Sequence, residues 1–289
     1  MTILRPADLR GLAALLGSQE PHAVVPPCWH WGLLLDPVIP GNLDENGYVI
    51  GSPITPEPGM MRMFAGGRVR TISPLALNSE TSRTTKVASV TDKKGHRGLL
   101  HFVTMRSTWS QDGRDCLVDD QDYVFMPTHS AGPSPEGAGH TGGNGFLVTE
   151  PLLVTFSALT ANPYRIHWDR DFCRSAGHDG LVVHGPLQAL LMAQAFADTG
   201  TDFTGKQFSY RFRAAVTAPT RLTVGIEEDE AKVRRPDGTV TATATLGCAM
   251  LRAAHQPQVT SVRQPRDDFS AGQGEYIAST DDELRTAQP

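Results

Sequence analysis

The sequence predicts an α+β protein built in two similar halves, each a long helix wrapped by a strongly curved antiparallel β-sheet. Three observations carry that reading. Residues 184–198, HGPLQALLMAQAFAD, are apolar round almost the whole helical circumference, and a helix of that kind is buried. Runs that alternate apolar and polar residues, the period of a half-buried strand, follow it and recur in the first part of the chain. Residues 128–144, THSAGPSPEGAGHTGGN, have the small, polar, Gly- and Pro-rich composition of a linker. A curved antiparallel sheet folded round a helix is one of the few ways to bury all its faces.

The first half is read as residues 1–127. Leu9, Leu12, Ala13 and Leu16 recur at helical spacing, which predicts a short amphipathic helix, while Asp8 and Arg10 interrupt the apolar core a signal peptide needs. Residues 26–35, PPCWHWGLLL, are either a buried helix opened by proline or a core strand, because periodicity does not separate the two over ten residues. Residues 67–72, 81–90, 99–109 and 118–126 read as strands, with a hairpin turn at 92–95. The second half is read as 145–254: a strand at 152–159, the buried helix, then strands at 206–216, 221–228 and 239–251, with the turn Pro236-Asp237-Gly238 before the last. Residues 255–289 are polar with few apolar anchors and are expected to be poorly ordered.

Composition excludes several function classes. The chain of 289 residues is 39% apolar and 20% charged, enough apolar material for a sizeable core. A net charge of −5 with no Lys/Arg cluster argues against a nucleic-acid surface, and no run approaches a membrane span of roughly 20 apolar residues. Cys28, Cys116, Cys173 and Cys248 form no CxxC pair, so reduced thiols in the cytoplasm are expected, with neither a disulfide framework nor a zinc site. No metal-ligand cluster or glycine-rich dinucleotide loop is seen, so no cofactor is expected.

The chemistry gathers in Phe156-Ser-Ala-Leu-Thr-Ala-Asn162-Pro-Tyr-Arg165-Ile-His167-Trp-Asp169 and in Gly180-Leu-Val-Val-His184-Gly185-Pro186. Together they resemble the hydratase-2 motif of the MaoC-like hot-dog family, where a loop carries an acid and, five residues on, a histidine, before a glycine opens the central helix. Pro26-Pro-Cys-Trp-His-Trp31, Met63-Phe-Ala-Gly-Gly-Arg68 and Val118-Asp-Asp-Gln-Asp-Tyr-Val124 resemble the N-terminal half of long bacterial double hot-dog dehydratases. That group is similar to fungal hydroxyacyl-thioester dehydratase type 2 and includes mesaconyl-CoA and itaconyl-CoA hydratases. The resemblance implies a double hot-dog fold and hydration or dehydration of an acyl thioester, and because the N-terminal half lacks a matching histidine motif one active site per chain is expected. Coenzyme A is the expected carrier ahead of acyl carrier protein, and a short branched dicarboxylic acyl group is the first expectation. A carrier-protein dehydratase, a thioesterase and a non-catalytic thioester binder are the alternatives, and a homodimer is the expected assembly.

Water adding to C3 of an enoyl thioester needs a base for the water, an acid for C2 and a donor for the enolate-like oxygen. Histidine titrates in the right range, which singles out His167. A backbone N–H at a helix N-terminus suits the oxygen, which singles out Gly185, whose missing side chain permits close approach. Where the motif has its aspartate this chain has Asn162, which holds water but does not exchange protons. Either His167 acts as both acid and base with Asn162 positioning the water, or another carboxylate serves, Asp169 first and Asp122 second. His184, at the helix start, is either a substrate contact or a packed residue. Trp29 and Trp31 are core or pocket wall, and Arg62, Arg68 and Arg165 are candidates for a substrate carboxylate or the phosphates of coenzyme A.

Overall fold

Ten antiparallel strands form one continuous sheet, and its order tells how the chain is put together. The structure, a computed structural model, describes residues 1–95, 98–127 and 145–248, so the expected linker and the tail from 255 lie outside the described residues. The first half supplies β1 (Thr2–Ile3), β2 (Met60–Thr71), β3 (Glu80–Gly95), β4 (Gly98–Gln111) and β5 (Arg114–Pro127). The second supplies β6 (Phe146–Val148), β7 (Lys206–Phe212), β8 (Thr220–Glu227), β9 (Glu230–Arg234) and β10 (Val240–Cys248). In the order β1-β3-β4-β5-β2-β7-β10-β9-β8-β6 each half keeps its own strands together, and the halves meet where β2 pairs with β7.

The seam depends on a glycine pair. β2 shifts register against β5 between Phe64 and Gly66, and Gly66 to Arg70 then pair with Arg211 to Gln207 of β7. Gly66 has φ 149°, and a Cβ there would stand 2.3 Å from the carbonyl oxygen of Tyr210. A Cβ on Gly67 would meet the Asp120 carbonyl at 2.4 Å and the Tyr210 hydroxyl at 2.5 Å. A side chain at Gly66 would push the two half-sheets apart, and one at Gly67 would clash with β5 inside the first half and with the Tyr210 ring.

α4 (Gly185–Asp198) is the predicted buried helix and packs on β7, β8, β9 and β10. Leu187, Ala189, Leu190, Met192, Ala193 and Phe196 are buried with it. Its one buried amide, Gln188, accepts a hydrogen bond from Thr241 Oγ of β10 at 2.7 Å, which satisfies its carbonyl oxygen.

Three expectations are corrected. Residues 152–159 are not a strand but lie in a helix, α2 (Glu150–Leu159). Thr149 caps it, its hydroxyl accepting from Leu152 N at 3.3 Å, and Pro151 stands in the first turn, where a missing N–H costs nothing. Residues 26–35 are neither helix nor core strand. Cys28 and Leu34 adopt positive φ, which restricts regular structure to a 3-10 turn over Trp29–Gly32. The first half therefore has no long helix among the described residues: its longest is α1 (Arg10–Leu16), which buries Leu12 and Ala13 and ends at Gly17 with φ 66°. The hairpin at 92–95 also turns later than expected, since β3 and β4 stay paired as far as Gly95 and Gly98.

Three strands were not foreseen, the short β1 and β6 and the hairpin partner β9. β8 and β9 are joined by Glu228-Asp229, both at positive φ, the backbone of a primed hairpin turn that Asn-Gly would ordinarily signal. No helix among the described residues is long and apolar enough to cross a membrane.

Candidate active site

His167 closes a 3-10 turn, Arg165–His167, that follows α2. Two backbone bonds clamp the extended stretch opposite it: Val182 N donates to Ile166 O at 2.9 Å, and Val183 N to Val216 O at 2.8 Å. The clamp delivers Val182 O to His167 Nδ1 at 2.7 Å. A carbonyl only accepts, so Nδ1 carries the proton and Nε2 presents a lone pair. Among the described residues Nε2 has no hydrogen-bond partner, and the residue keeps 8% of its surface accessible. Burial pushes the imidazole down to about 4, helped by the positive charge of Arg62 and opposed by the bond to Val182. The ring is neutral at pH 7.

His184 stacks on His167, ring centroids 3.5 Å apart and planes 19° from parallel. It is fully sealed from solvent, with Nε2 2.9 Å from Ser157 Oγ of α2 and the edge of its ring against Phe156. Burial and the neighbouring imidazole hold it well below the usual histidine range. Two stacked neutral rings are therefore the resting state, with His184 packed behind His167 and away from solvent.

His184 is also the residue before α4, and Gly185 N–H is the first donor of the helix, with no acceptor in its own ladder. The space a Cβ would take on Gly185 is filled by the Phe212 ring, 2.8 Å away. That ring packs on Phe64 at 5.3 Å and Tyr210 at 5.6 Å between centroids, an aromatic group astride the seam. So glycine is required here for packing, in addition to the close approach expected of it.

On the first-half side stands Arg62 of β2. Its guanidinium carbon lies 4.5 Å from the ring centre of Tyr48, 5.3 Å from Tyr123 and 5.8 Å from Tyr164. Tyr164 in turn meets His167 edge-on at 6.0 Å.

The other expected residues are engaged elsewhere. Asn162 Oδ1 accepts from Tyr164 N at 3.3 Å, an Asx turn that leaves the amide donors. Asp169 caps α3 (Arg170–Ser175) through Phe172 N at 2.9 Å and pairs with Arg165 at 2.6 Å. Those two bonds, the backbone one first, hold its carboxyl below the usual range. An ionised, paired aspartate has no proton to lend, and Arg165 has no free charge. Both line a surface groove of about 570 Å³ beside the loop, with Asp44, Glu45 and Trp168. Arg68 pairs with Asp120 at 3.2 Å and Asp122 at 3.1 Å, which also removes Asp122 from the candidate acids. Trp31 is a core residue: it donates to Asp119 Oδ2 at 2.8 Å and packs edge-on against Tyr210.

Sequence reasoning missed Ser157, Tyr48 and Tyr164. Ser157 was hidden by reading its segment as a strand. The signal was available in Thr149 and Pro151, which mark a helix start.

A sheet of this order, with one buried helix and a histidine loop feeding its N-terminus, is the double hot-dog architecture of the MaoC-like dehydratases. The crystal structure of HtdX from Mycobacterium tuberculosis matches with a TM-score of 0.62 at 17% identity, covering 84% of this chain and 95% of that one. A MaoC-like dehydratase from Phytophthora capsici matches with a TM-score of 0.57 at 15% identity, covering 85% and 92%. Those likenesses show the fold, and the sequence carries more. Residues 28–218 match the family of hydroxyacyl-thioester dehydratase type 2. The mesaconyl-C(4)-CoA hydratase of Chloroflexus aurantiacus is 35% identical over 242 residues, which is 80% of this chain and 86% of that protein. The chain belongs to the hydroxyacyl-thioester dehydratase type 2 family and is a hydro-lyase.

Proposed function

We propose that the chain hydrates the double bond of a 2,3-enoyl thioester of coenzyme A, or runs the reverse dehydration, on a short branched dicarboxylic acyl group of the mesaconyl type. The observation that carries the reaction is the His167 ring, with Nδ1 fixed on Val182 O and a neutral, unpartnered Nε2. The acyl group follows the relative that is 35% identical.

In this reading His167 Nε2 takes a proton from water as the oxygen bonds to C3. The imidazolium then returns that proton to C2, so one ring serves as base and acid and the water is fully consumed. A ring whose charged form is disfavoured by burial releases its proton readily, which suits the second half of the step. Gly185 N–H, at the positive end of α4, receives the charge that develops on the thioester oxygen. Asn162 orients the water with the amide donors its turn leaves over. His184 and Ser157 hold the His167 plane. Asp169 and Arg165 fix the loop as positioning residues. Coenzyme A is favoured over acyl carrier protein because the 35% identical relative is a hydratase of a coenzyme A thioester. The free thiols of Cys28, Cys116, Cys173 and Cys248 support a reducing compartment, the cytoplasm.

The test is loss of enoyl-thioester ultraviolet absorbance with mesaconyl-C(4)-CoA and crotonyl-CoA. Wild type should turn over the dicarboxylic substrate, and His167→Ala should lower kcat by roughly 10³-fold. Undiminished turnover by His167→Ala would overturn the assignment of the base.

A further inference from the structure

We propose that Arg62 is the receptor for a free carboxylate on the acyl chain, so that the first half of the protein selects the substrate that the second half converts. This rests on the hydratase reading above and adds the residue that reads the acyl group.

The argument begins with elimination. Of the three arginines that the sequence offers for an anionic substrate, Arg68 is paired with Asp120 and Asp122, and Arg165 with Asp169. Arg62 has no carboxylate partner among the described residues. Its one protein hydrogen bond runs from Nη1 to the Ile54 carbonyl at 3.0 Å. A half-buried guanidinium without a counter-ion costs free energy unless something replaces its hydration. Three ring faces do so in part, since Tyr48, Tyr123 and Tyr164 surround the guanidinium carbon at 4.5, 5.3 and 5.8 Å. Rings attract a cation without neutralising it. Burial also raises all three phenols, so none supplies a negative charge. The wall of the site thus carries one uncompensated positive charge.

Its position fits the substrate. A single ring, Tyr164, separates Arg62 from His167. In an enoyl thioester with a carboxylate on C3, that carboxylate is bonded to the carbon that water attacks. Bringing C3 to His167 therefore brings the carboxylate toward the guanidinium, whose planar fork matches it in bidentate fashion. The phosphates of coenzyme A are the other anion such a site could take. They are common to every coenzyme A substrate, which separates the two sources.

The experiment compares mesaconyl-C(4)-CoA with crotonyl-CoA, which lacks the carboxylate, on the full-length wild type, Arg62→Met and Arg62→Lys. The quantity is the ratio of kcat/KM for the two substrates. Arg62→Met should lower it by roughly 100-fold, and Arg62→Lys, which keeps charge but loses the fork, should fall between. Arg62→Met should also move the acid limb of the pH–rate profile upward, because the charge that helps keep His167 neutral is gone. Equal losses on both substrates would assign Arg62 to phosphate binding or to packing and overturn the proposal. Wild type that hydrates crotonyl-CoA but not the dicarboxylic thioester would overturn it together with the dicarboxylic acyl assignment, while leaving hydration at His167 standing. Wild type inert on both would remove both.

Discussion

The two halves share a sheet and differ in what covers it. The second half lays the fourteen-residue α4 on β7 to β10 and places the His167–His184 stack at the helix start. The first half has longer strands, 12 to 16 residues in β2 to β5, yet its cover among the described residues is short turns and α1. It too buries a histidine beside an acid, His30 at 3.4 Å from Asp119 Oδ2, which also accepts from Trp31 at 2.8 Å and Gln121 at 3.0 Å. Of the three buried histidines among the described residues, His30 and His167 sit in different surroundings. His30 meets a carboxylate inside the core, where the arrangement consolidates packing. His167 meets a carbonyl at the surface of the core and keeps one nitrogen free. His30 and His184 each leave a nitrogen without a partner as well, but theirs are sealed in protein, whereas His167 keeps 8% of its surface accessible.

The sharpest break of this comparison is His167→Ala. The expected loss of roughly 10³-fold in kcat with folding intact contrasts with the first-half pair, where substitution should cost stability instead.

Acid should separate the halves next. The folded-state value of His167 lies at about 4, below its unfolded value of 6.5. Its contribution is complete above pH 6.5 and is lost as pH falls toward 4, because only the unfolded chain takes up the proton. The loss amounts to about 3 kcal/mol. His184, shifted the same way, adds to it. Urea midpoints should fall over that window, and His167→Ala should flatten the slope. By the same sign kcat/KM should hold steady well below pH 6.5 before the base protonates.

Gly185→Ala comes third. Its Cβ would meet the Phe212 ring at 2.8 Å, and that ring is held by Phe64 and Tyr210. Overpacking of about 1–3 kcal/mol is expected together with a lower kcat, both read on one purified variant. Asp119→Ala should have the smallest effect on rate. It strands the Trp31 and Gln121 donors and lowers stability by about 1–3 kcal/mol in urea titration, with kcat of the folded protein changed little. A loss of kcat as large as that of His167→Ala would erase the distinction between the halves.

Much of this was legible in the sequence, for stated reasons. α4 was readable because its apolar residues encircle it, and β2, β4 and β5 because one of their faces alternates. His167 and Gly185 were singled out by a local motif whose spacing survives the change to Asn162. What failed did so where tertiary context overrides local pattern. Val154 and Thr155 give residues 152–159 a strand-like look, and the burial of Leu153 and Phe156 on one helical face decided otherwise. Cys28 and Leu34 break residues 26–35 by backbone angles that no periodicity reports. Asp169 and Arg165 each suggested chemistry alone, and only the fold shows that they neutralise each other. Arg62 stood level with two other arginines until their partners were seen.

The seam has a further consequence. Arg62 and Gly66 lie on the same strand, and the pairing of Gly66 to Arg70 with β7 locks that strand against the half that carries His167. The distance from the selecting wall to the imidazole is thus ruled by backbone register. A register slip that keeps each side chain on its face moves two residues, roughly 7 Å, far more than one methylene of substrate. Changes of acyl preference among descendants of this protein are therefore expected to come by exchange of side chains at positions such as 62, 64 and 123. The sheet serves as a fixed ruler against which those exchanges are measured.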